Sequence, residues 1–303
     1  MARKWSLFLL VLLLLGGGAA FAWQVALNRL ERGVLAWAEA RRAEGWQVAH
    51  GAPERGPLPW RPEVALPGFS ARNPLGLGLE AGTLRVALDP RTPRHLRLRA
   101  EGELAALAGA QRVPVQAQAL EGLAGLEAED LLWNAEALVA PGLESRRIAL
   151  RWRDGHAQLT ADATRLGPVR LDGFSLLLAL ENPAGTPAAF RAGGGRLRLL
   201  QAEARRGEAR AEAQATLTLD AALQPEGRGQ LTLHAPGDWV AAMREAGLLA
   251  PQVAGPLAIA AQLGARVPPG GGPPRLEMPV ELRARRLSVA RFPVANLPEV
   301  AWR

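Results

Sequence analysis

From Leu84 onward the chain alternates. Leu84, Val86 and Leu88 stand between polar or small neighbours, as do Leu96 and Leu98, then Val113 and Val115. Ile148, Leu150 and Trp152 alternate with Ala149, Arg151 and Arg153; Asp154-Gly155 follows, and Ala157, Leu159 and Ala161 resume the rhythm. Period two places successive side chains on opposite faces of a strand. An Asp-Gly pair between two such runs is a preferred two-residue hairpin turn. Leu197 and Leu199 lead through Arg205-Arg206-Gly207-Glu208 to Ala213, Ala215, Leu217 and Leu219, a second hairpin. Leu231-Leu233, Leu257-Ile259-Ala261-Leu263 and Val280-Leu282-Ala284 carry the pattern on, and are read as strands. Each strand then has one apolar and one polar face. Such sheets are antiparallel and half covered, or they curl around something.

Few helices interrupt this pattern. Asp238 is placed as the N-cap of Trp239–Ala246, with Gly247 as its stop. Gly102–Ala110 and Gly122–Glu129 fit helix or strand equally. Pro268 to Pro274 is a loop between two strands. A doubly wound α/β fold is excluded, because helices do not alternate with strands. The predicted fold is mainly β: a large twisted antiparallel sheet or open β-barrel or groove of roughly ten to fifteen strands, with one or two short helices.

The N-terminus differs. Arg3 and Lys4 precede an uncharged stretch from Trp5 to Asn28, whose centre, Leu7 to Leu15, is almost all Leu, Val and Phe. One reading is a cleaved signal peptide ending at Ala20-Phe21-Ala22. The other is a retained transmembrane helix. Trp5 and Trp23 bracket roughly 27 Å of helix, near the thickness of a hydrocarbon core, and both would lie at the interfaces. The apolar spacing then continues through Leu27, Leu30, Val34 and Trp37 to a stop at Gly45. That continuity favours a retained signal anchor running into an amphipathic helix. Arg3 and Lys4 would hold the N-terminus in the cytoplasm. The expected organisation is an anchor over residues 1–27, an amphipathic helix over 28–45 and a β-rich body over 46–303. The expected location is the bacterial inner membrane, single pass, with the body in the periplasm.

A faint internal echo suggests that the body comprises two similar halves, 46–170 and 171–303. Pro67-Gly68-Phe69-Ser70 precedes Asn73-Pro74, and Asp172-Gly173-Phe174-Ser175 precedes Asn182-Pro183.

The formal net charge is +7, which would ordinarily suggest an anionic partner. But Lys4 is the only lysine, the arginines are dispersed among glutamates, and no basic run exists. Nucleic-acid binding is therefore not expected. There is no cysteine, so disulfides, thiolate metal sites and a cysteine nucleophile are excluded. A body without lysine has neither a Walker A loop nor a pyridoxal Schiff base. HExxH and GxSxG are absent.

The remaining chemistry-bearing residues are scattered. His50, His95, His156 and His234 lie far apart, and a metal site would need the fold to gather them. Ser70, Ser145, Ser175 and Ser288 have no base nearby in sequence. Glu129-Asp130, Asp89 and Asp172 read as turn caps more readily than as a glycosidase pair. Trp46, Trp60, Trp133, Trp152, Trp239 and Trp302 read as core before groove lining. No catalytic, cofactor-binding or metal residue is assigned, no cofactor is expected, and the chain is not read as an enzyme.

Leu30 to Gly51, LERGVLAWAEARRAEGWQVAHG, followed by Gly56-Pro57-Leu58-Pro59-Trp60 and Leu66-Pro67-Gly68-Phe69, resembles the opening of domain of unknown function 2125, a mainly alphaproteobacterial family. Gly255-Pro256-Leu257 through Leu297-Pro298-Glu299-Val300-Ala301-Trp302 resembles its ending. The family usually carries a Gly-aromatic or Phe-Pro element where this chain has Gly56-Pro57-Leu58-Pro59. The resemblance implies a membrane anchor and an envelope location; it transfers no activity and no site residue. The function expected is a membrane-anchored periplasmic binding or assembly protein handling an apolar ligand such as lipid. The alternatives are a ligand-free scaffold for another envelope protein and an exported hydrolase.

Overall fold

Alternating apolar residues and short turns build one sheet in which strands pair with their neighbours in the chain. The computed structural model describes residues 2–56, 62–88, 94–125, 130–182, 186–247, 251–267 and 274–300. One helix, α1 (Ala2–Ala43), precedes β1 (Gln47–Ala49), β2 (Glu54–Arg55), β3 (Glu63–Arg72), β4 (Leu77–Leu88) and β5 (His95–Ala108). Then come β6 (Gln111–Val115), β7 (Ala119–Gly125), β8 (Asp130–Ala140), β9 (Leu143–Arg153), β10 (His156–Leu166) and β11 (Val169–Glu181). A short α2 (Pro187–Ala192) leads to β12 (Arg196–Arg206), β13 (Ala209–Leu219) and β14 (Pro225–His234). Helices α3 (Pro236–Glu245) and α4 (Pro251–Gly264) precede β15 (Arg275–Arg283), β16 (Arg286–Val289) and β17 (Phe292–Asn296).

All seventeen strands join one sheet, and its pairings are antiparallel. β1 and β2 both lie along β3, and β6 and β7 both lie along β5. Each of these pairs is one strand broken midway, so fifteen chain segments form an up-and-down meander. Among the described residues the edges are β1 with β2 at one end and β17 at the other. Gly102–Ala108 and Gly122–Gly125, which fit either state on paper, are strands within β5 and β7. Residues 126–129 lie outside the described residues.

Both expected hairpins form. Asp154 (φ 49°) and Gly155 (φ 75°) turn β9 into β10, as a type I′ turn requires. Gly207-Glu208 turns β12 into β13, and Gly207 N–H donates to Asp172 Oδ2 at 2.6 Å.

The helix α1 ends as expected. Gly45 has φ 87°, its N–H donates to Arg42 O (3.0 Å), and Trp46 N–H reaches back to Arg41 O (2.9 Å). These are the two bonds of a Schellman stop. Its inward stripe is Leu27, Leu30, Val34 and Ala38, while Trp37 turns outward. The stripe packs on Val48, Val64, Leu66, Phe69, Leu84 and Val86. The second half of α1 is therefore part of the core of the body, not merely an extension of an anchor. Among the described residues no helix is long and apolar enough to cross a membrane. The side chains of the run Leu7–Leu15 lie outside the described residues.

Two local expectations are corrected. Leu257-Ile259-Ala261-Leu263 is not a strand but part of α4. Alanines 254, 258, 260 and 261 favour helix, and β14 pairs directly with β15, leaving no vacant ladder for another strand. The loop after α4 therefore follows a helix; its residues 268–273 lie outside the described residues. Asp238 is not the N-cap of α3. The cap position is Ala235, with φ 51°, and Pro236 opens the helix, the position where proline's fixed φ and missing N–H cost nothing. Asp238 sits in the first turn. Helix α2, unmarked by any long apolar stripe, is capped by Thr186, whose side chain accepts from Ala189 N–H at 3.2 Å.

Candidate functional site: the apolar sheet face

Antiparallel partners directly opposite one another share a face. The register therefore links Leu131–Trp152–Ala157–Leu178–Leu199–Ala215 across β8 to β13. The next row is Trp133–Leu150–Leu159–Leu176–Ala202–Ala213. A third row runs Ala135–Ile148–Ala161–Phe174–Ala204–Ala211–Leu233. One apolar face is thus continuous across the middle of the sheet.

Among the described residues, helix-packed clusters lie at the two ends of this face, and the short α2 borders β13. Under α1, Val64 and Leu66 are fully buried. At the other end, Trp239 of α3 packs with Leu171, Ala209, Phe174, Ala204 and Leu233. The two phenylalanines of the sequence echo each sit under a helix, Phe69 with α1 and Phe174 with α3. Between those clusters, Ile148, Trp152, Leu159, Leu176, Leu199, Leu217 and Leu231 stay half-buried, and Leu150 is 37% exposed. They belong to neither cluster. Alanine and glycine at Ala211, Ala213, Ala215, Gly227 and Gly229 keep the wall low on β13 and β14.

A crease crosses this face. Ala137 (φ 48°) on β8 and Ala163 (φ 47°) on β10 both take left-handed conformations, level with Arg146 on β9. Beyond them the inward residues shift by one, so Leu171 packs with Phe174 rather than on the opposite face. Ser145 and Thr164 are buried in the crease. Ser145 Oγ lies 3.1 Å from Thr164 Oγ1 and has two acceptors for its one proton, the carbonyls of Arg147 (2.9 Å) and Asp162 (3.0 Å). Ser145 is thus a strand serine whose hydroxyl pins the crease.

The opposite face is polar and ion-paired. Arg85 sits between Glu63 and Glu101, at 2.8 Å from each. Those two hydrogen bonds, Glu101 first, raise the Arg85 pKa above its ordinary value. Glu80 raises that of Arg112 in the same way, at 2.6 Å. Arg210 spans Glu203 (3.0 Å) and Glu212 (2.9 Å), and His234 Nε2 lies 3.2 Å from Glu212. These groups hold one another along the strands.

The fold does not gather the candidate chemical residues. His50 is at the end of β1, His95 opens β5, His156 flanks the β9–β10 turn and His234 ends β14. Among the described residues no three His, Asp or Glu side chains form a group able to hold a metal. Ser70, Ser175 and Ser288 lie on β3, β11 and β16. Asp172 caps the Gly207 turn, and Asp130 faces Arg151 at 3.7 Å. Asp89, Glu129, Trp60 and Trp302 lie outside the described residues. Trp46 and Trp133 pack on the α1 cluster and Trp239 packs from α3 onto Leu171 and Ala209, whereas Trp152 lies on the open part of the face.

Comparison with curated proteins and with solved structures gives no match. The model of one family, described as "Uncharacterized protein conserved in bacteria (DUF2125)", matches residues 23–298. That span takes in the inward stripe of α1, every strand and both flanking helices, so the chain belongs to the DUF2125 family.

Proposed function

We propose that this protein is a membrane-anchored envelope protein that holds an apolar ligand, of the class of a lipid acyl chain, against the open face of its sheet. The observation that carries this reading is the run of Ile148, Leu150, Trp152, Leu159, Leu176 and Leu199, half-exposed among the described residues and outside both helix-packed clusters. Soluble monomers rarely leave so long an apolar surface without an occupant. A strip of aliphatic side chains with no convergent polar groups selects for hydrocarbon and not for a headgroup. The uncharged stretch from Trp5 to Asn28 would serve as the anchor, with Arg3 and Lys4 on the cytoplasmic side and the sheet in the periplasm. On this reading the protein is a carrier or assembly factor without catalytic residues.

A ligand-free scaffold for another envelope protein is the second reading. The outer edge of β17, which has no strand partner among the described residues and where Phe292 is 74% exposed, favours it, because such an edge can accept a strand from a partner.

Neighbouring residues separate the two. Leu159 faces the open apolar side and Gln158 the polar side. A photo-crosslinking amino acid placed at each position in turn, in the full chain and in cells, reports what lies there. A lipid adduct at 159 and none at 158 is expected. A protein adduct at 159, or no adduct at all, would overturn the lipid reading. The full chain is needed, because a fragment starting at Trp46 would lose Leu27, Leu30, Val34 and Ala38 from the core.

A further inference from the structure

The apolar rows of the sheet are not equally sheltered. The row through Ala135, Ile148 and Ala161 continues to Leu84 and Leu66 beneath α1, and Leu66, Leu84, Ala135 and Ala161 are buried. The row through Leu131, Trp152 and Leu199 is different. It continues past Leu131 through Ala124 and Leu96 to Leu88. Past Ala215 it runs through Gly229, Val280 and Val289 to Phe292. Each of β4, β5 and β7 to β17 contributes one member, thirteen in all. All are aliphatic, aromatic or glycine, and none is buried: twelve are half-buried and Phe292 is exposed. A core row is buried, and a row that faces water carries polar side chains. This row does neither along its whole length.

Neighbouring strands lie about 4.8 Å apart, so the row runs about 58 Å along the sheet. An acyl chain fills one leaflet, about 15 Å, or half of a hydrocarbon core. A seat for one lipid needs only a fraction of the row. Relief along it is low as well. Between Leu199 and Val280 it passes over Ala215 and Gly229, beside Ala202 and Ala213 of the next row. The two ends differ. Leu88 and Leu96 pack on the same cluster as Trp23, and Trp23 stands in the one helix that carries the uncharged stretch from Trp5 to Asn28. With that stretch as the anchor, this end of the row meets the bilayer surface, where tryptophan sits by preference. The other end, Phe292, is 74% exposed on β17, at the far edge of the sheet among the described residues.

We propose, on the reading that the open face holds lipid, that acyl chains lie across the strands along this row and slide from the α1 end to the β17 edge. The sheet is then a track for lipids in succession and not a seat for one. Apolar attraction has no direction and follows the area removed from water. A chain that leaves one strand therefore gains as much on the next, and the energy along the row stays level.

Two positions on the row test this in the full chain in cells. Leu131 on β8 and Val280 on β15 lie about 34 Å apart along it, too far for one acyl chain to touch both. A photo-crosslinking amino acid at either position should give a lipid adduct, as at 159. Leu199→Asp, on β12 between them, puts a charge in the path. It should leave the 131 adduct unchanged and lower the 280 adduct several-fold. Ala215→Gln is a milder block and should act the same way, so the test does not hang on one variant that has to fold. Gln158→Asp, on the exposed polar face, should change neither adduct. No adduct at 159 overturns the lipid reading itself, and the track with it. An adduct at 159 with none at 131 or 280 overturns the track alone and leaves a single seat. Adducts at both positions that the two blocks leave unchanged also overturn it, because each site then fills on its own. So does loss at 131 with 280 unchanged, which would mean entry from the β17 end.

Discussion

Ser145 Oγ and Thr164 Oγ1 lie 3.1 Å apart, buried where two alanines bend the sheet. A buried hydroxyl left without its partner costs more than the bond itself contributes. Ser145→Ala should therefore destabilise the fold by about 1–2 kcal/mol, and Thr164→Val by a similar amount. Because they share one interaction, the double variant should lose less than the sum. Urea denaturation of the four proteins measures the coupling directly. Simple additivity would mean that the two hydroxyls do not act together.

Covered and open parts of the apolar face should respond differently to truncation. Leu66 is 1% exposed beneath α1, so Leu66→Ala should cost about 2–5 kcal/mol through lost contacts and a residual cavity. Leu217 is half-buried on the open stretch, and Leu217→Ala should cost about 1 kcal/mol or less. Equal losses in denaturant titrations would show that the open stretch is covered in solution.

Gly229 faces the low part of the wall. A side chain there would run into Gln214 O and Ala215 on β13. Gly229→Val should destabilise by about 1–3 kcal/mol despite the better strand propensity of valine. Thermal melts would show this as a lower midpoint. An unchanged midpoint would mean that β13 and β14 can separate at no cost.

On the polar face, Arg85→Gln removes one cation shared by Glu63 and Glu101. These side chains are about one-third exposed, so screening by solvent limits the loss to about 1 kcal/mol. The raised pKa of Arg85 gives stability that is complete below its unfolded value and is lost only as pH climbs through the folded one. Both values lie far into the alkaline range. The stability difference from wild type should therefore be the same at about pH 7 and about pH 9, and should shrink in high salt. A difference that vanishes by about pH 9 would place its origin in another group.

The sheet was legible wherever the rhythm was unbroken. Ile148, Leu150 and Trp152 alternate cleanly and lie where their period puts them. The crease was not legible, because Ala137 and Ala163 take left-handed conformations without the glycine or asparagine that would mark them. The helix α4 was misread because Leu257, Ile259, Ala261 and Leu263 satisfy a period of two as well as they satisfy a helix. No charged residue marks an outer face, and the internal Pro256 counts against helix on its own. The apolar face was visible as a sequence pattern, but how much of it stays uncovered depends on tertiary packing. Leu27, Leu30, Val34 and Ala38 are a stripe that could face lipid, a partner or its own sheet, and only their contact with Val64 and Leu66 decides which.

In this meander almost every strand hydrogen-bonds to the segment just before it and the one just after it. Closing each new hairpin costs little loop entropy, and such local topologies form quickly. The sheet can therefore assemble vectorially, each segment adding to a finished edge as it leaves a ribosome or a translocation pore. It need not wait for the last residue before the first ones are secure.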